Sequence, residues 1–324
     1  MTEEKRWQQP IKAVGVIGLH SFGRSIVRRL AQTAPKAGVE KLAAFDADAA
    51  LLADLEESGV VGCKSVAHLV DGVDLILLCL PKTGDVGRIA RSHEGLLDCV
   101  RKNQIIIDHS WSSLDLTRQL GTAFSGRGAV ILDAPIGRRG NVDRAIEAGK
   151  LAFAIGGDAS AIDAALPLLA CFASDITRVG PIGTAQVARQ LGDLVALQTF
   201  AALAEAFVTG YAFGVEGDRL FEALAKENGA SVGLGRHALA EFLGGDEPAP
   251  NGRTSIIDAG RRLKEAIQLA EGKNLNLEGA DSTLALLDKA IEKGLGEEDL
   301  GGLFRVMEPE QKSSRRDVRS HGSR

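Results

Sequence analysis

Large aromatic side chains are scarce in this sequence. Phe, Trp and Tyr together make up 4% of its 324 residues, against 38 glycines and an abundance of small aliphatics. A chain so short of rings reaches close packing by bringing backbones together, which suits an α/β unit followed by tightly packed helices. Thiols are few as well: Cys63, Cys79, Cys99 and Cys171. They show no C-x-x-C spacing and read as reduced, buried side chains, so neither a disulfide framework nor a metal site is expected. Positive charge is not in excess, with 38 Lys and Arg against 43 Asp and Glu and a net charge of −5. That balance argues against nucleic acid, whose phosphates call for a basic surface. The first ten residues carry mixed charge without the apolar segment of a secretory leader. No apolar run reaches the roughly 18 to 20 residues of a membrane span. These absences predict a cytoplasmic chain whose partner is a small-molecule substrate, not nucleic acid or a membrane.

What is present is an alternation of short apolar runs with helical segments, the pattern of βαβ units and a parallel sheet. Ala13–Ile17 is a strand ending in a glycine turn, and Gly23 opens a helix with Ile26, Val27 and Leu30 on its apolar face. Lys41–Phe45 is a second strand ending on Asp46, with a helix over Ala49–Leu55. The run after Asp74 is apolar to Leu80 and stops at Pro81, as a strand buried on both faces does. Gln104–Asp108, Ala129–Asp133, Leu151–Ile155 and Ile176–Val179 continue the series, with a small-residue helix around 161–172. From Thr184 to about Phe213 the sequence is rich in Ala, Leu, Val and Gln, a helix of about 45 Å at roughly 1.5 Å per residue. Gly244–Asn251 is expected to be a mobile loop, and residues 308–324, polar and basic, a disordered tail.

The turn after the first strand reads Gly18-Leu19-His20-Ser21-Phe22-Gly23. A dinucleotide-binding turn is G-x-G-x-x-G between strand and helix, with an acid about 20 residues on. Here the outer glycines are present and His20 replaces the middle one, crowding the approach of a pyrophosphate. The helix N-terminus still offers backbone N–H groups and a positive dipole to an anion. Asp46 stands where a carboxylate accepts ribose hydroxyls and repels a 2′-phosphate, favouring NAD over NADP. The competing reading is a tight turn closed by glycines with Asp46 capping the next helix.

Across residues 12–307 the sequence resembles the β-hydroxyacid dehydrogenases, the family of 3-hydroxyisobutyrate and 6-phosphogluconate dehydrogenases. Its G-L-G-x-M-G is similar to Gly18–Gly23, and its strand ending in L-P to Leu75–Pro81. Its D-x-S-T is similar to Asp108-His109-Ser110-Trp111. Its substrate motif D-A-P-V-S-G-G is similar to Asp133-Ala134-Pro135-Ile136-Gly137-Arg138-Arg139, followed by Gly149-Lys150-Leu151 and Gly156-Gly157. Its helix motif G-x-x-G-x-G-x-x-x-K-x-x-N-N is similar to the stretch from Gly180 to Asp193. The resemblance implies cofactor contacts from the glycine turn, Asp46, Leu80, Pro81 and Ser110. It implies substrate contacts from Ser110, Gly137, Arg138 and Arg139, and catalytic positions at 189 and 193.

The departures are chemical. The family's lysine is Arg189 and its asparagine one turn later is Asp193. Arginine does not readily release a proton, since its pKa stays above about 12, but it holds a carboxylate or stabilises an oxyanion. The i, i+4 spacing puts Arg189 and Asp193 on one helix face, either as a structural ion pair or as a pair that orients substrate, with Asp193 a proton-transfer group. Arg138 and Arg139 suit an anionic substrate, and His20 and His109 are loop histidines that titrate near neutrality or make local hydrogen bonds.

The expectation is an α/β protein: a Rossmann-type parallel-sheet domain over 1–180, an all-α substrate and dimerisation domain over 181–307, and a tail. Its function is nicotinamide-dependent hydride transfer to or from a small anionic hydroxy acid or aldehyde. An imine reductase and a dinucleotide-binding sensor without turnover are the alternatives. The apolar helical half and the resemblance imply a homodimer or tetramer.

Overall fold

A computed structural model describes Trp7, residues 10–20, 22–53, Leu55, 58–137, 141–228 and 254–307. The expected mobile loop Gly244–Asn251 and the expected tail 308–324 lie outside these residues. The chain divides into two compact units, residues 1–189 and 190–324. The division falls inside a helix rather than at residue 180, because the helix's first turns are hydrogen-bonded into the first unit.

In the first unit eight strands are described, the inner ones apolar runs buried on both faces. They are β1 (Ala13–Ile17), β2 (Lys41–Phe45), β3 (Val61–Gly62), β4 (Leu75–Leu78), β5 (Ile105–Asp108), β6 (Val130–Asp133), β7 (Leu151–Gly156) and β8 (Ala173–Gly180). Every residue of β4 and β5 is buried. The strands form one sheet in the order β3-β2-β1-β4-β5-β6-β7-β8. Helices fill the connections: α1 (Gly23–Thr33), α2 (Val66–Asp71), α3 (Thr83–Arg91), α4 (Leu96–Cys99), α5 (Leu114–Gly126), α6 (Val142–Glu147) and α7 (Ala159–Leu169).

Strand alternation sorts the core into two layers. Val14, Val16, Leu75, Leu77, Ile105, Ile107 and Leu132 meet Ile26, Val27 and Leu30 of α1 and Ile162 and Leu169 of α7. On the opposite face, Ile17, Ile76, Leu78, Ile106 and Ile131 meet Leu69 and Val70 of α2, Val86 of α3, and Leu120 and Phe124 of α5. The strand order reverses between β1 and β4, and it is beyond the carboxyl ends of strands at such a reversal that α/β sheets bind ligands.

Two local expectations change. The helix expected over Ala49–Leu55 is a 3-10 turn at Ala49–Leu51, with bonds from Leu52 to Ala49 and Leu55 to Leu52 that close on the third residue. The sheet is not wholly parallel: β7 joins β6 antiparallel through the single pair Asp133 and Gly156, and β8 runs parallel to β7.

Helix α8 (Thr184–Ala212) leads into the second unit, which adds α9 (Gly217–Asn228), α10 (Ile256–Glu271), α11 (Glu278–Glu292) and α12 (Gly302–Met307). Leu197, Phe200, Ala204 and Phe207 recur at helical spacing along α8 and pack with Ile256, Leu263 and Ile267 of α10, Leu287 of α11 and Phe304 of α12. Ser255 caps α10 by accepting from the Asp258 N–H. By length and composition α8 also passes as a membrane-crossing helix, which no uninterrupted apolar run signals because Arg189, Asp193 and Glu205 punctuate it. Core helices of soluble proteins pass the same test.

Candidate active site

The turn after β1 is built by its glycines. Gly18 adopts φ +94°, and a Cβ there would lie 2.5 Å from the Cys79 carbonyl oxygen. A Cβ on Gly23 would lie 2.0 Å from the Gly18 carbonyl oxygen. Among the described residues, Phe22 at the N-cap of α1 makes no side-chain cap and the helix's own first turn holds no acid, while Ser25 in that turn donates to Asp143 at 2.6 Å. Asp46, at the end of β2, accepts from Leu19 N at 2.7 Å through Oδ2 and from Asp48 N at 2.9 Å through Oδ1. His20 is half-exposed, with Nε2 3.9 Å from Asp46 Oδ1. Asp46 therefore tethers the glycine turn to β2, and Ser21 lies outside the described residues.

The ends of β4 and β5 are laced together. The buried Ser110 hydroxyl accepts from Leu80 N at 2.9 Å and donates to the Leu78 carbonyl at 3.4 Å. Leu80 is buried and Pro81 exposed. The Ser110 side chain expected to contact ligand thus ties two strand ends within the protein. Asp108 is buried beside it, accepting from Ser110 N at 2.9 Å and from the Ser112 hydroxyl at 2.8 Å. Burial pushes its carboxyl up to about 6; these hydrogen bonds oppose the rise and the nearby Asp133 adds to it.

His109 is not the loop histidine its position implied. It is fully buried, and burial pushes its pKa down to about 4. Its Nδ1 bonds the Ala134 carbonyl at 2.8 Å, so the proton sits on Nδ1. Nε2 is buried without a hydrogen-bond partner, and the ring meets Phe153 and Phe172 edge-on at 5.4 and 5.9 Å.

Asp133, the acid of the D-A-P segment, is fully buried and receives the N-terminus of α8. Its Oδ1 accepts from Gly183 N at 2.7 Å and its Oδ2 from Gln186 N at 2.9 Å. Burial raises its pKa against those bonds. One turn in, the buried Gln186 amide donates to the Ser110 carbonyl at 2.9 Å, and its Oε1 accepts a long bond of 3.4 Å from Arg189 Nε. The Arg189 guanidinium carbon lies 4.9 Å over the Trp111 ring, and Trp111 Nε1 donates to the Ile136 carbonyl at 2.8 Å. The loops after β5 and β6 are thereby joined to the start of α8, with Gly137 exposed just beyond Ile136. Arg138 and Arg139 lie outside the described residues, and the half-buried Asp193 lies further along α8, in the second unit.

Residues 13–180, over half the chain, match the family described as the NAD binding domain of 6-phosphogluconate dehydrogenase. The chain belongs to this family. NAD is its cofactor and oxidoreduction its chemistry. Among its relatives, 2-(hydroxymethyl)glutarate dehydrogenase of Eubacterium barkeri is 25% identical over 297 residues, covering 91% of this chain and 94% of the relative. NAD-dependent L-serine dehydrogenase of Pseudomonas aeruginosa is 26% identical over 304 residues, covering 93% and 99%. In fold, 3-hydroxyisobutyrate dehydrogenase of Mycobacterium tuberculosis, solved with L-serine, aligns with a TM-score of 0.74 at 21% identity, covering 92% of this chain and all of that one.

The residues of this family member fit a dinucleotide. The carbonyl oxygens of Cys79 and Gly18 stand where a Cβ on Gly18 or Gly23 would go, so only glycine closes the turn this tightly, and the backbone N–H groups of the first turn of α1 suit a pyrophosphate. The sequence led to Arg189 but not to Gln186 or Trp111. The signal available for Gln186 was its i, i+3 place before Arg189 on one helix face. Nothing in the sequence marked Trp111 as a platform, because the contact joins a loop after β5 to a helix far along the chain.

Proposed function

We propose that this chain is an NAD-dependent dehydrogenase of small β-hydroxy acids, with Arg189 as the group that meets the substrate's negative charge. The observation that carries the reading is the seating of Arg189 against Gln186 and over Trp111, beside the loops that follow β5 and β6. 3-Hydroxyisobutyrate, L-serine and 2-(hydroxymethyl)glutarate, named in the relatives, share a carboxylate on the carbon that bears the CH2OH group. A planar guanidinium suits both that carboxylate and the oxygen that gains charge as the alcohol becomes an aldehyde.

Gly18, Leu19, His20, Ser21, Phe22 and Gly23 would hold the pyrophosphate side of NAD, Asp46 the ribose, and Leu80 and Pro81 the nicotinamide side. Ser110 supports that last contact through Leu80 N. Bound NAD supplies the hydride acceptor. This chain's residues then hold the acid, align its carbinol carbon and stabilise charge on its oxygen. Arg189 stays protonated throughout, so the hydroxyl proton leaves to another group. Asp193, one turn further along α8, is the group offered for it by spacing. Gly137, Arg138 and Arg139 complete the proposed substrate contacts. A cytoplasmic homodimer or tetramer is the proposed setting, and sedimentation of the full chain checks the assembly.

The test is NADH formation from each of the three acids, alongside imine reduction and NADH binding. Turnover of at least one acid supports the reading. NADH binding without any turnover makes the chain a sensor, and turnover of imines alone makes it an imine reductase; either result overturns it.

A further inference from the structure

The Gln186 side chain is fully buried, and both ends of its amide are used. Nε2 donates to the Ser110 main-chain carbonyl, and Oε1 accepts from Arg189 Nε. Its backbone N–H is also held, by Asp133. A buried side chain held at both ends of its amide is confined to one rotamer, so its Oε1 is a stationary acceptor. Trp111 is fixed in turn through Nε1 on the Ile136 carbonyl, and its ring lies under the guanidinium carbon at 4.9 Å. One neighbour holds Arg189 at Nε, the other across its face. A long side chain with several rotatable bonds is thereby ordered before any ligand arrives, which removes an entropy cost from binding.

We infer that Gln186 is a positioning residue for substrate: with Trp111 it fixes the Arg189 guanidinium in the orientation that receives a small carboxylate. This rests on the reading that Arg189 meets the substrate anion. Gln186 itself touches Ser110 and Arg189, and acts on the ligand only through Arg189.

The experiment is calorimetric titration of 3-hydroxyisobutyrate, and separately L-serine, into the full-length protein saturated with NADH. Alcohol with reduced cofactor is a dead-end pair, so affinity is read without turnover. NADH affinity is measured on the same preparations by fluorescence. Gln186→Leu is expected to weaken binding of the acid about tenfold, the equivalent of about 1.4 kcal/mol, with NADH affinity unchanged. Gln186→Glu keeps the size of the side chain and competes for the guanidinium, so it is expected to weaken the acid at least as much. In an Arg189→Met background, Gln186→Leu is expected to change nothing further, because the group it positions is gone.

If both Gln186 variants bind the acid as the wild type does while Arg189→Met does not, the positioning role is wrong and the reading of Arg189 stands. If Gln186→Leu weakens the acid equally in both backgrounds, its role is structural and the inference is overturned. If Arg189→Met binds like the wild type, or the wild type binds neither acid, the reading of the site falls and the inference falls with it.

Discussion

A guanidinium at position 189 keeps its charge across the working pH range, because arginine does not readily release its proton. The proposed site therefore gains no basic limb in its pH–rate profile from this residue. Arg189→Lys should introduce one as the ammonium loses its proton, towards about 10 when unperturbed, and a profile of kcat/KM against pH checks it. Two buried groups nearby titrate in opposite senses. His109 has a folded pKa of about 4, below the ordinary 6.5, so the unfolded chain binds the extra proton and stability falls as pH drops through that interval. Asp108 has a folded pKa of about 6, above the ordinary 3.8, so the folded chain binds the extra proton and stability rises as pH drops from about 6 towards 3.8. The two slopes offset one another in the wild type. Asp108→Asn should remove one of the two opposing carboxyls, Asp133 being the other, so the stability lost between pH 6.5 and 4 in urea unfolding followed across pH should exceed that of the wild type. An unchanged slope in that variant would show that the two groups are not opposed.

At the scale of elements, the start of α8 hangs on one carboxylate. Asp133→Ala leaves the N–H groups of Gly183 and Gln186 without their acceptor in a buried place, a cost of about 1 to 3 kcal/mol each. Denaturant unfolding should show a loss of about 2 to 6 kcal/mol, and Asp133→Asn, which keeps one acceptor, a smaller one. That tether was not legible in the sequence. The D-A-P segment was, but which atoms Asp133 meets depends on the fold bringing residues 133 and 183 together. The strands were legible for a local reason: Leu75–Leu78 and Ile105, Ile106 and Ile107 are apolar without alternation because both faces are buried. The reversal at β7 was not, since its pattern is the same in either direction. His109 was misread because a histidine beside a strand end gives no local sign that Phe153 and Phe172 enclose it.

For the molecule as a whole, the glycine turn, the reversal of strand order beside it and a family match over residues 13–180 agree on a dinucleotide site. Asp46 makes its selectivity testable. A carboxylate there repels a 2′-phosphate, so NADH should bind at least about tenfold tighter than NADPH in fluorescence titrations. Asp46→Ser should narrow that gap while loosening the turn, because Leu19 N loses its acceptor. Equal affinities in the wild type would remove Asp46 from the cofactor site. This cofactor and the cation at the start of α8 are proposed to act on one substrate, and their joint action is read from turnover. NADH formation from 3-hydroxyisobutyrate and from L-serine is measured for the wild type and Arg189→Met, with NADH affinity matched between them. Turnover of at least one acid by the wild type is expected, with a fall of about 100-fold or more in kcat/KM on losing the guanidinium. Equal turnover by the two proteins would contradict it.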